Sequence, residues 1–303
     1  LLRNADVAMY SAKELGKNGY QHFTTTMNEK VQFNMLLQNK LKVAVARNEF
    51  ENYYQPIIDV KNKKTVGFEM LMRWHSDSKA ISPCVFIPIA EHLGLIVEMT
   101  IKAIERGLND VAKWYEQGFR GYMAINLSAK QFSTRPDFEK ILQLLSDYGL
   151  PASCLRFEIT EGLLIDNNDK TIDYMHEMRA LGFKISLDDF GTGYSSLRYL
   201  KDFPIDVLKI DKSFVDDIGV DKGTESIIES TLIMTKMLSM DTVAEGIETQ
   251  QQVDFFNKTN CRFLQGFYFS KPVNHRKCYE LLQKDWSYKF TSKKDNSKPT
   301  LRL

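Results

Sequence analysis

The chain has 303 residues, 43% of them hydrophobic, which is enough to bury either one α/β barrel of roughly 250 residues or two smaller domains. Forty basic and thirty-nine acidic residues leave a net charge of +1, so the composition excludes a strong whole-molecule field for a nucleic-acid polymer or a membrane surface. The four cysteines lie far apart without a CxxC pair, which is typical of reduced thiols in a cytoplasmic protein, and no apolar run approaches the ~20 residues that cross a bilayer.

The first 25 residues are too few to build a core of their own. Residues 5–15 predict an Ala-rich amphipathic helix that ends at Gly16, and a short strand follows at 19–23. The run ADVAMYSAKELGKNGY resembles the C-terminal end of a GGDEF (diguanylate cyclase) domain, although the catalytic GGDEF string is not in this sequence. We therefore expect residues 1–25 to be the end of such a domain, with GGDEF or sensory domains upstream in a longer parent protein that could be membrane-anchored.

Residues 26–42 connect this segment to the rest of the chain. Apolar residues recur there at three- and four-residue spacing, which predicts a helical linker. Two strand-like runs follow, FENYYQPIIDV and VGFEMLMRW, and the turn at 62–64 between them predicts an opening hairpin. Residues 84–118 then predict helices that lead into the strand GYMAINLS.

From residue 121 onward, strands and helices alternate. Helices predicted at 135–148, 169–181, 224–239 and 249–258, with a helical turn near 195–200, separate the strands CLRFEIT, FKISLDD, VLKID, TVAEG and RFLQGFYFS. This alternation predicts a parallel sheet with right-handed crossovers. The total of about eight strands suits a closed (β/α)8 barrel of the TIM type, and an open doubly wound sheet is the alternative.

Polar side chains stand at the carboxyl ends of the predicted strands, where barrels gather their functional groups. If the strands close a barrel, five carboxylates, two amides and one lysine converge: Glu69, Glu158, Asp188, Asp189, Glu245, Asn126, Gln265 and Lys209. Carboxylates so close together repel one another unless they are protonated or neutralised by cations. Their oxygen atoms favour Mg²⁺ or Mn²⁺ over zinc, and adjacent aspartates suit two ions about 3.5–4 Å apart, as used for displacement at phosphorus.

Seven blocks of the sequence resemble, in order and spacing, the signature blocks of the EAL domain, the phosphodiesterase that opens cyclic di-GMP: GFEMLMRW, INLS, FEITEG, SLDDFGTGYSSL, LKIDKSFV, AEGIET and QGFYFSKP. The resemblance implies a TIM-like barrel with one antiparallel strand over residues 43–285, followed by a polar basic tail at 286–303. It also implies hydrolysis of cyclic di-GMP to linear pGpG in bacterial second-messenger signalling, with two Mg²⁺ or Mn²⁺ ions.

The same resemblance implies roles for individual residues. The metal ligands would be Glu69, Asn126, Glu158, Asp188, Asp189 and Glu245. Lys209 and Gln265 match residues near the nucleophilic water, Glu161 matches the glutamate that holds the glycine-containing loop, and Glu248 matches a glutamate of structural role. The residues that contact the dinucleotide would be Gln55, Leu71 and Arg73.

The motif that names the family, Glu-Ala-Leu, reads Glu69-Met70-Leu71 here. Neighbouring side chains on a strand point to opposite faces, so Met70 should pack against the surrounding helices and leave Glu69 in place. We therefore expect activity to survive the change.

Two further expectations concern function and assembly. The alternative to an enzyme is a module that binds cyclic di-GMP without hydrolysing it, but degenerate family members lose ligands or the glycine loop, and neither is lost here. The family often pairs through the helix next to that loop, so the resemblance also implies a homodimer.

Overall fold

The computed structural model describes residues 22–76, 79–133, 135–165, 169–191 and 197–291, together with Met9 and Tyr20. The predicted helix at 5–15, apart from Met9, lies outside the described residues, as do loop residues 192–196 and the tail from 292 onward. The chain divides into two compact units, one comprising residues 1–51 and 73–100 and the other 52–72 and 101–303.

The helices and strands of the described residues alternate along most of the chain. They are α1 (Thr25–Arg47), β1 (Phe50–Asp59), β2 (Lys64–Ser76), β3 (Lys79–Ile81), α2 (Pro83–Leu93), α3 (Ile96–Glu116), β4 (Tyr122–Asn126), α4 (Ala129–Ser133), α5 (Phe138–Asp147), β5 (Leu155–Thr160), α6 (Glu161–Ile165), α7 (Asp169–Ala180), β6 (Lys184–Phe190), α8 (Leu197–Asp202), β7 (Val207–Ile210), α9 (Lys212–Asp216), α10 (Lys222–Met237), β8 (Asp241–Ala244), α11 (Gln250–Phe256), β9 (Phe263–Leu264), β10 (Val273–Asn274) and α12 (His275–Leu282). Among these helices, none is long and apolar enough to cross a lipid bilayer.

The first unit is built on α1, which contains the predicted linker helix. Thr24 caps its N-terminus, since the hydroxyl accepts a hydrogen bond from the Met27 N–H at 3.3 Å. The helix packs against α2. Three aromatic rings complete this core, with centroids 5.8–5.9 Å apart: Phe50, Trp74 and Phe86.

The second unit contains a closed barrel. Within the described residues, eight strands form a ring in the order β1, β2, β4, β5, β6, β7, β8, β9 and back to β1. Each neighbouring pair from β2 to β9 is parallel, whereas β1 runs antiparallel to β9. The predicted barrel with one antiparallel strand is confirmed. The open sheet is wrong because β1 pairs with both β2 and β9.

Strand periodicity directs the site residues to one mouth of this barrel. A small buried cluster inside it is formed by Ile57, Tyr122, Ala124, Val207, Val243 and Phe263. Side chains two positions apart on a strand share a face. Several polar residues of the mouth lie two positions along the chain from a member of this cluster. These polar residues are Gln55, Asn126, Lys209, Glu245 and Gln265. The apolar cluster therefore closes the barrel below the polar mouth.

Met70 points to the opposite face of β2 from Glu69, as predicted. It is buried, and its Sδ lies 3.3 Å from the position that a Cβ on Gly107 of α3 would occupy. A glycine at this point of α3 leaves the room that the methionine fills.

One predicted strand is wrong in extent. Residues 262–270 predict a continuous strand, but β9 covers only Phe263–Leu264. The chain then turns at Gly266, where a Cβ would lie 2.1 Å from the Ile247 carbonyl oxygen, and the Phe269 N–H donates back to the Gly266 carbonyl at 3.1 Å. This close backbone approach ends the strand just after it has delivered Gln265 to the mouth.

The start of the predicted tail is packed. Trp286 is fully buried, and its indole N–H donates to the Thr65 hydroxyl at 3.0 Å. The Phe269 ring lies edge-on to Trp286 and also contacts Phe290, which is itself buried. The ordered core thus extends beyond residue 285 because the basic segment carries two large apolar side chains.

Replacement of Trp286 by alanine tests this packing. The loss of a fully buried indole and its hydrogen bond should lower the free energy of unfolding by about 3–5 kcal/mol in urea denaturation. The control is Tyr288→Ala, which removes an exposed ring and should change stability by less than ~0.5 kcal/mol. Equal losses in the two variants would contradict a packed tail.

Candidate active site

The predicted site residues of the second unit converge at the carboxyl ends of the barrel strands. Adjacent strands align them, because Asn126 of β4 lies opposite Glu158 of β5, and Thr160 lies opposite Asp188 of β6. Glu245 and Gln265 directly follow β8 and β9. The structure thus brings these residues to one end of the barrel.

Lys209 is the centre of this arrangement. Its side chain is 1% exposed, and its Nζ lies 2.8 Å from Glu158 Oε2, 3.2 Å from Asp188 Oδ2 and 2.6 Å from Glu245 Oε1. One ammonium thus joins carboxylates from three strand ends to β7. Charge-assisted contacts of this length are among the stronger polar interactions in proteins.

Glu69 is held by two amides. Its Oε1 accepts from Asn126 Nδ2 at 2.8 Å and its Oε2 accepts from Gln265 Nε2 at 2.5 Å. Gln265 Nε2 also lies 3.3 Å from Gln55 Oε1, and Gln55 in turn donates to the Ser270 carbonyl at 3.2 Å. The Gln265 Oε1 is buried with no hydrogen-bond partner among the described residues. It is therefore a buried acceptor for which the described residues supply no donor.

The carboxylates outnumber the single ammonium, and their pKa values reflect this. Burial raises the pKa of Glu158 to about 8, and repulsion from Glu69 and Asp188 adds to the effect while Lys209 opposes it. Burial likewise raises the pKa of Glu245 well above its usual value. Burial acts to lower the pKa of Lys209, but the surrounding carboxylates outweigh it and raise that pKa well above its usual value. The site therefore holds more buried carboxyl groups than its one ammonium can neutralise, so some of them must bind protons or cations.

A bulge in β6 presents Asp188 and Asp189 together. The pairing with β7 shifts register between Leu187 and Phe190, and Asp189 takes a left-handed φ of 56°. The Asp189 N–H donates to Asp188 Oδ1 at 3.0 Å. A regular strand would send neighbouring side chains to opposite faces, so the bulge is what makes both aspartates available to one site. Burial and the adjacent Asp188 raise the pKa of Asp189.

Glu161 contacts Gly191 at the start of the glycine-containing loop. The residue is buried at the start of α6, and its Oε2 accepts from the Gly191 N–H at 3.0 Å. Residues 192–196 of this loop lie outside the described residues.

The donor set fits hard divalent cations in chemical type. It consists of carboxylate and amide oxygens, with pKa values raised in Glu158, Asp189 and Glu245 and a partnerless buried acceptor on Gln265. Among the described residues, no three His, Cys, Asp or Glu side chains form a ready-made metal cage. The carboxylates converge instead on the Lys209 ammonium. Charge and donor type thus fit a cation, while the ligand set stays a prediction.

A cleft of about 330 Å³ opens beside these residues, and sequence reasoning missed two side chains that line it, Lys212 and Phe267. Both lie in the quoted blocks LKIDKSFV and QGFYFSKP, within three residues of a site residue, which is the signal that could have identified them. Lys212 Nζ contacts Glu248 Oε1 at 2.7 Å at the edge of the cleft. Phe267 exposes half of its surface there.

The other two residues predicted to contact the substrate, Leu71 and Arg73, both lie on β2. Leu71 is half-buried on β2. Arg73, also half-buried, follows on the same strand but belongs to the first unit.

Comparison with known proteins gives a family and several relatives. The EAL domain model matches residues 38–272. The signaling protein YkoW of Bacillus subtilis is 38% identical over 90% of this chain and 34% of YkoW, and the bifunctional diguanylate cyclase/cyclic di-GMP phosphodiesterase MucR of Pseudomonas aeruginosa is 36% identical over 90% of this chain and 40% of MucR. A solved structure described as the PaMucR phosphodiesterase in complex with c-di-GMP has 33% identity and a TM-score of 0.76, covering 80% of this chain and 99% of that one. This chain thus spans 34–40% of the length of the two curated relatives.

Replacement of Lys209 by methionine tests the charge balance of the site. Removal of one partner from a buried ion cluster leaves the carboxylates uncompensated, so unfolding in urea at about pH 8 with chelator should show a loss of about 3–5 kcal/mol. The matched control is Lys184→Met, which breaks a 2.8 Å ion pair of a half-exposed lysine with Asp206 and should cost at most ~1 kcal/mol. A Lys209 variant as stable as the control would contradict this assignment.

Proposed function

This chain belongs to the EAL-domain family, and on that premise we propose that it is a metal-dependent phosphodiesterase that hydrolyses cyclic di-GMP to linear pGpG in bacterial second-messenger signalling. The observation that carries the proposal is the contact of one buried lysine, Lys209, with three strand-end carboxylates at 2.6–3.2 Å. A site that only bound a dianionic dinucleotide, without hydrolysing it, would have no need of so many carboxylates. Carboxylates in excess suit a site that recruits cations to work on a phosphate.

The proposed cofactors are two Mg²⁺ or Mn²⁺ ions. The residues that would hold them are Glu69, Asn126, Glu158, Asp188, Asp189 and Glu245. When bound, such ions supply positive charge that neutralises the phosphodiester and lowers the pKa of an attacking water. The all-oxygen donor chemistry supports this assignment over zinc.

The reaction exchanges one bond at phosphorus and transfers two protons, one away from the attacking water and one to the leaving oxygen. A water oxygen forms a bond to one phosphorus while the bond from that phosphorus to the ribose 3′ oxygen breaks, and the leaving oxygen takes up a proton to give linear pGpG. Glu245 accepts the proton of the attacking water, because burial has raised its pKa and made it a stronger base. Lys209 carries a fixed positive charge beside it and stabilises the negative charge that develops on the phosphoryl oxygens.

Amides and side chains at the cleft would orient the substrate. Gln265 has a buried carbonyl oxygen available as an acceptor beside Glu69, which suits a hydrogen bond to the nucleophilic water. Gln55 lines the same cleft and would contact the dinucleotide, as would Leu71. A guanidinium such as Arg73 can pair with a phosphate oxygen or a guanine edge.

The wider organisation of the protein belongs to the same proposal. Residues 1–25 would be the end of a GGDEF domain, 26–42 a helical linker, 43–285 the catalytic barrel and 286–303 a basic segment whose Trp286 and Phe290 pack on that barrel. The parent protein would work as a homodimer under GGDEF or sensory domains upstream, with this part in the cytoplasm, where its nucleotide substrate is made and consumed.

Substitution of the acidic residues tests the reaction. Incubation with cyclic di-GMP and Mn²⁺, followed by chromatography, should show pGpG from the parent chain, and at least ~10²-fold slower turnover in Glu69→Ala and Glu245→Ala. The control variant is Glu105→Ala, which removes an exposed carboxylate of α3 and should retain full activity. Cyclic di-GMP that binds the parent tightly without yielding product would make the chain a sensing module and refute hydrolysis.

A further inference from the structure

Gly191 follows the β6 bulge and is held from two sides. Its N–H donates to Glu161 Oε2 at 3.0 Å. Its φ is +97°, and a Cβ at this position would lie 2.4 Å from Cε2 and 2.6 Å from Cζ of Phe214. The phenyl ring therefore packs directly on the α-carbon of Gly191, in a backbone conformation that other residue types rarely adopt.

Phe214 lies on α9, the short helix that follows the strand of Lys209. Asp211 caps this helix by accepting a hydrogen bond from the Ser213 N–H at 2.9 Å. Val215, the next residue, is buried, and its carbonyl accepts from Gln252 Nε2 at 3.0 Å. The segment that carries the Lys209 ammonium thus also holds a ring in a fixed position against Gly191.

The β6 bulge keeps its conformation only if neighbouring residues hold it in place. Asp189 has a left-handed φ of 56°, and such strain persists only where the surrounding structure fixes it. On the N-terminal side, Asp188 is fixed by Lys209. On the C-terminal side, Phe190 rejoins the ladder opposite Ile210, and Gly191 is then enclosed by the Glu161 carboxylate and the Phe214 ring. Glycine is the most flexible residue type, so removal of either contact would let Gly191 change conformation, and the bulge would relax with it.

We propose that Phe214 is a positioning residue for the Asp188–Asp189 pair. The inference rests on the function proposed above, because the two carboxylates would then have to be aimed at the cleft for hydrolysis to occur. The ring acts on the pair through the backbone of Gly191, on which it packs. A displacement of about 1 Å at such groups can cost on the order of 10²-fold in rate.

The experiment compares Phe214→Ala and Phe214→Leu with the control Phe255→Ala. Phe255 is also a partly buried phenylalanine, but it packs on Phe256 of α11, with ring centroids 5.2 Å apart. Hydrogen–deuterium exchange of a peptide that covers residues 186–191 reports on the bulge in the absence of metal. Steady-state kinetics then give kcat, KM and the Mn²⁺ concentration for half-maximal activity.

In Phe214→Ala, exchange at the Gly191 amide should be at least ~10-fold faster, because its hydrogen bond to Glu161 opens more often. We expect kcat to fall about 10–100-fold while KM stays within about twofold, and the Mn²⁺ requirement to rise about 10-fold. Phe214→Leu keeps apolar atoms against Gly191 and should recover most of these losses.

The inference would be overturned if Phe214→Ala had the same exchange rate and kcat as Phe255→Ala. It would also be overturned if kcat fell in Phe214→Ala while exchange stayed unchanged. If the parent chain itself gives no product, the function proposed above fails, and the exchange rates still decide: faster exchange confined to Phe214→Ala supports the positioning role, whereas equal exchange refutes it.

Discussion

The structure of the site depends on one buried ammonium. Lys209 is 1% exposed, and an unpaired lysine in that place would lose its charge or unfold the barrel. Carboxylates from β5 and β6 and from the residue after β8 surround it, so the lysine crosslinks these strand ends to its own strand. The carboxyl groups still outnumber the ammonium, because Glu69 and Asp189 add to the three that contact Lys209, and burial raises the pKa of Glu158 to about 8. Stability and chemistry therefore share one constraint: the mouth must bind protons or cations.

The barrel produces this arrangement through two simple geometric rules. Closure by β1 brings the ends of β2 and β9 together, so Glu69 meets Gln265 although 196 positions separate them in sequence. Because side chains repeat every two residues along a strand, the polar side chains of the mouth lie directly above the apolar cluster inside the barrel. The β6 bulge departs from this two-residue period, at the point where two adjacent residues are needed on the same side.

The sequence was sufficient to predict the barrel and most of the ring of polar residues, because strand ends in a parallel barrel must meet. It was not sufficient for features that depend on close packing between distant segments. The left-handed conformation of Asp189 and the contact of Gly191 with Phe214 have no periodic signal. The early end of β9 follows from the approach of Gly266 to the Ile247 backbone, and the burial of Trp286 from a pocket beside Thr65. Composition alone made that last segment look like a polar tail.

Proton release on Mn²⁺ binding tests the charge balance most directly. Glu158, with a pKa of about 8, is mostly protonated near neutral pH and must lose its proton before a cation can bind to it. Calorimetric titrations in two buffers of different ionisation enthalpy should therefore show release of at least about one proton per chain at about pH 7, fewer protons above about pH 8.5, and an affinity that rises with pH. Binding of Mn²⁺ without proton release at about pH 7, at an affinity that does not change with pH, would contradict the assignment of the carboxylate ring as a cation site.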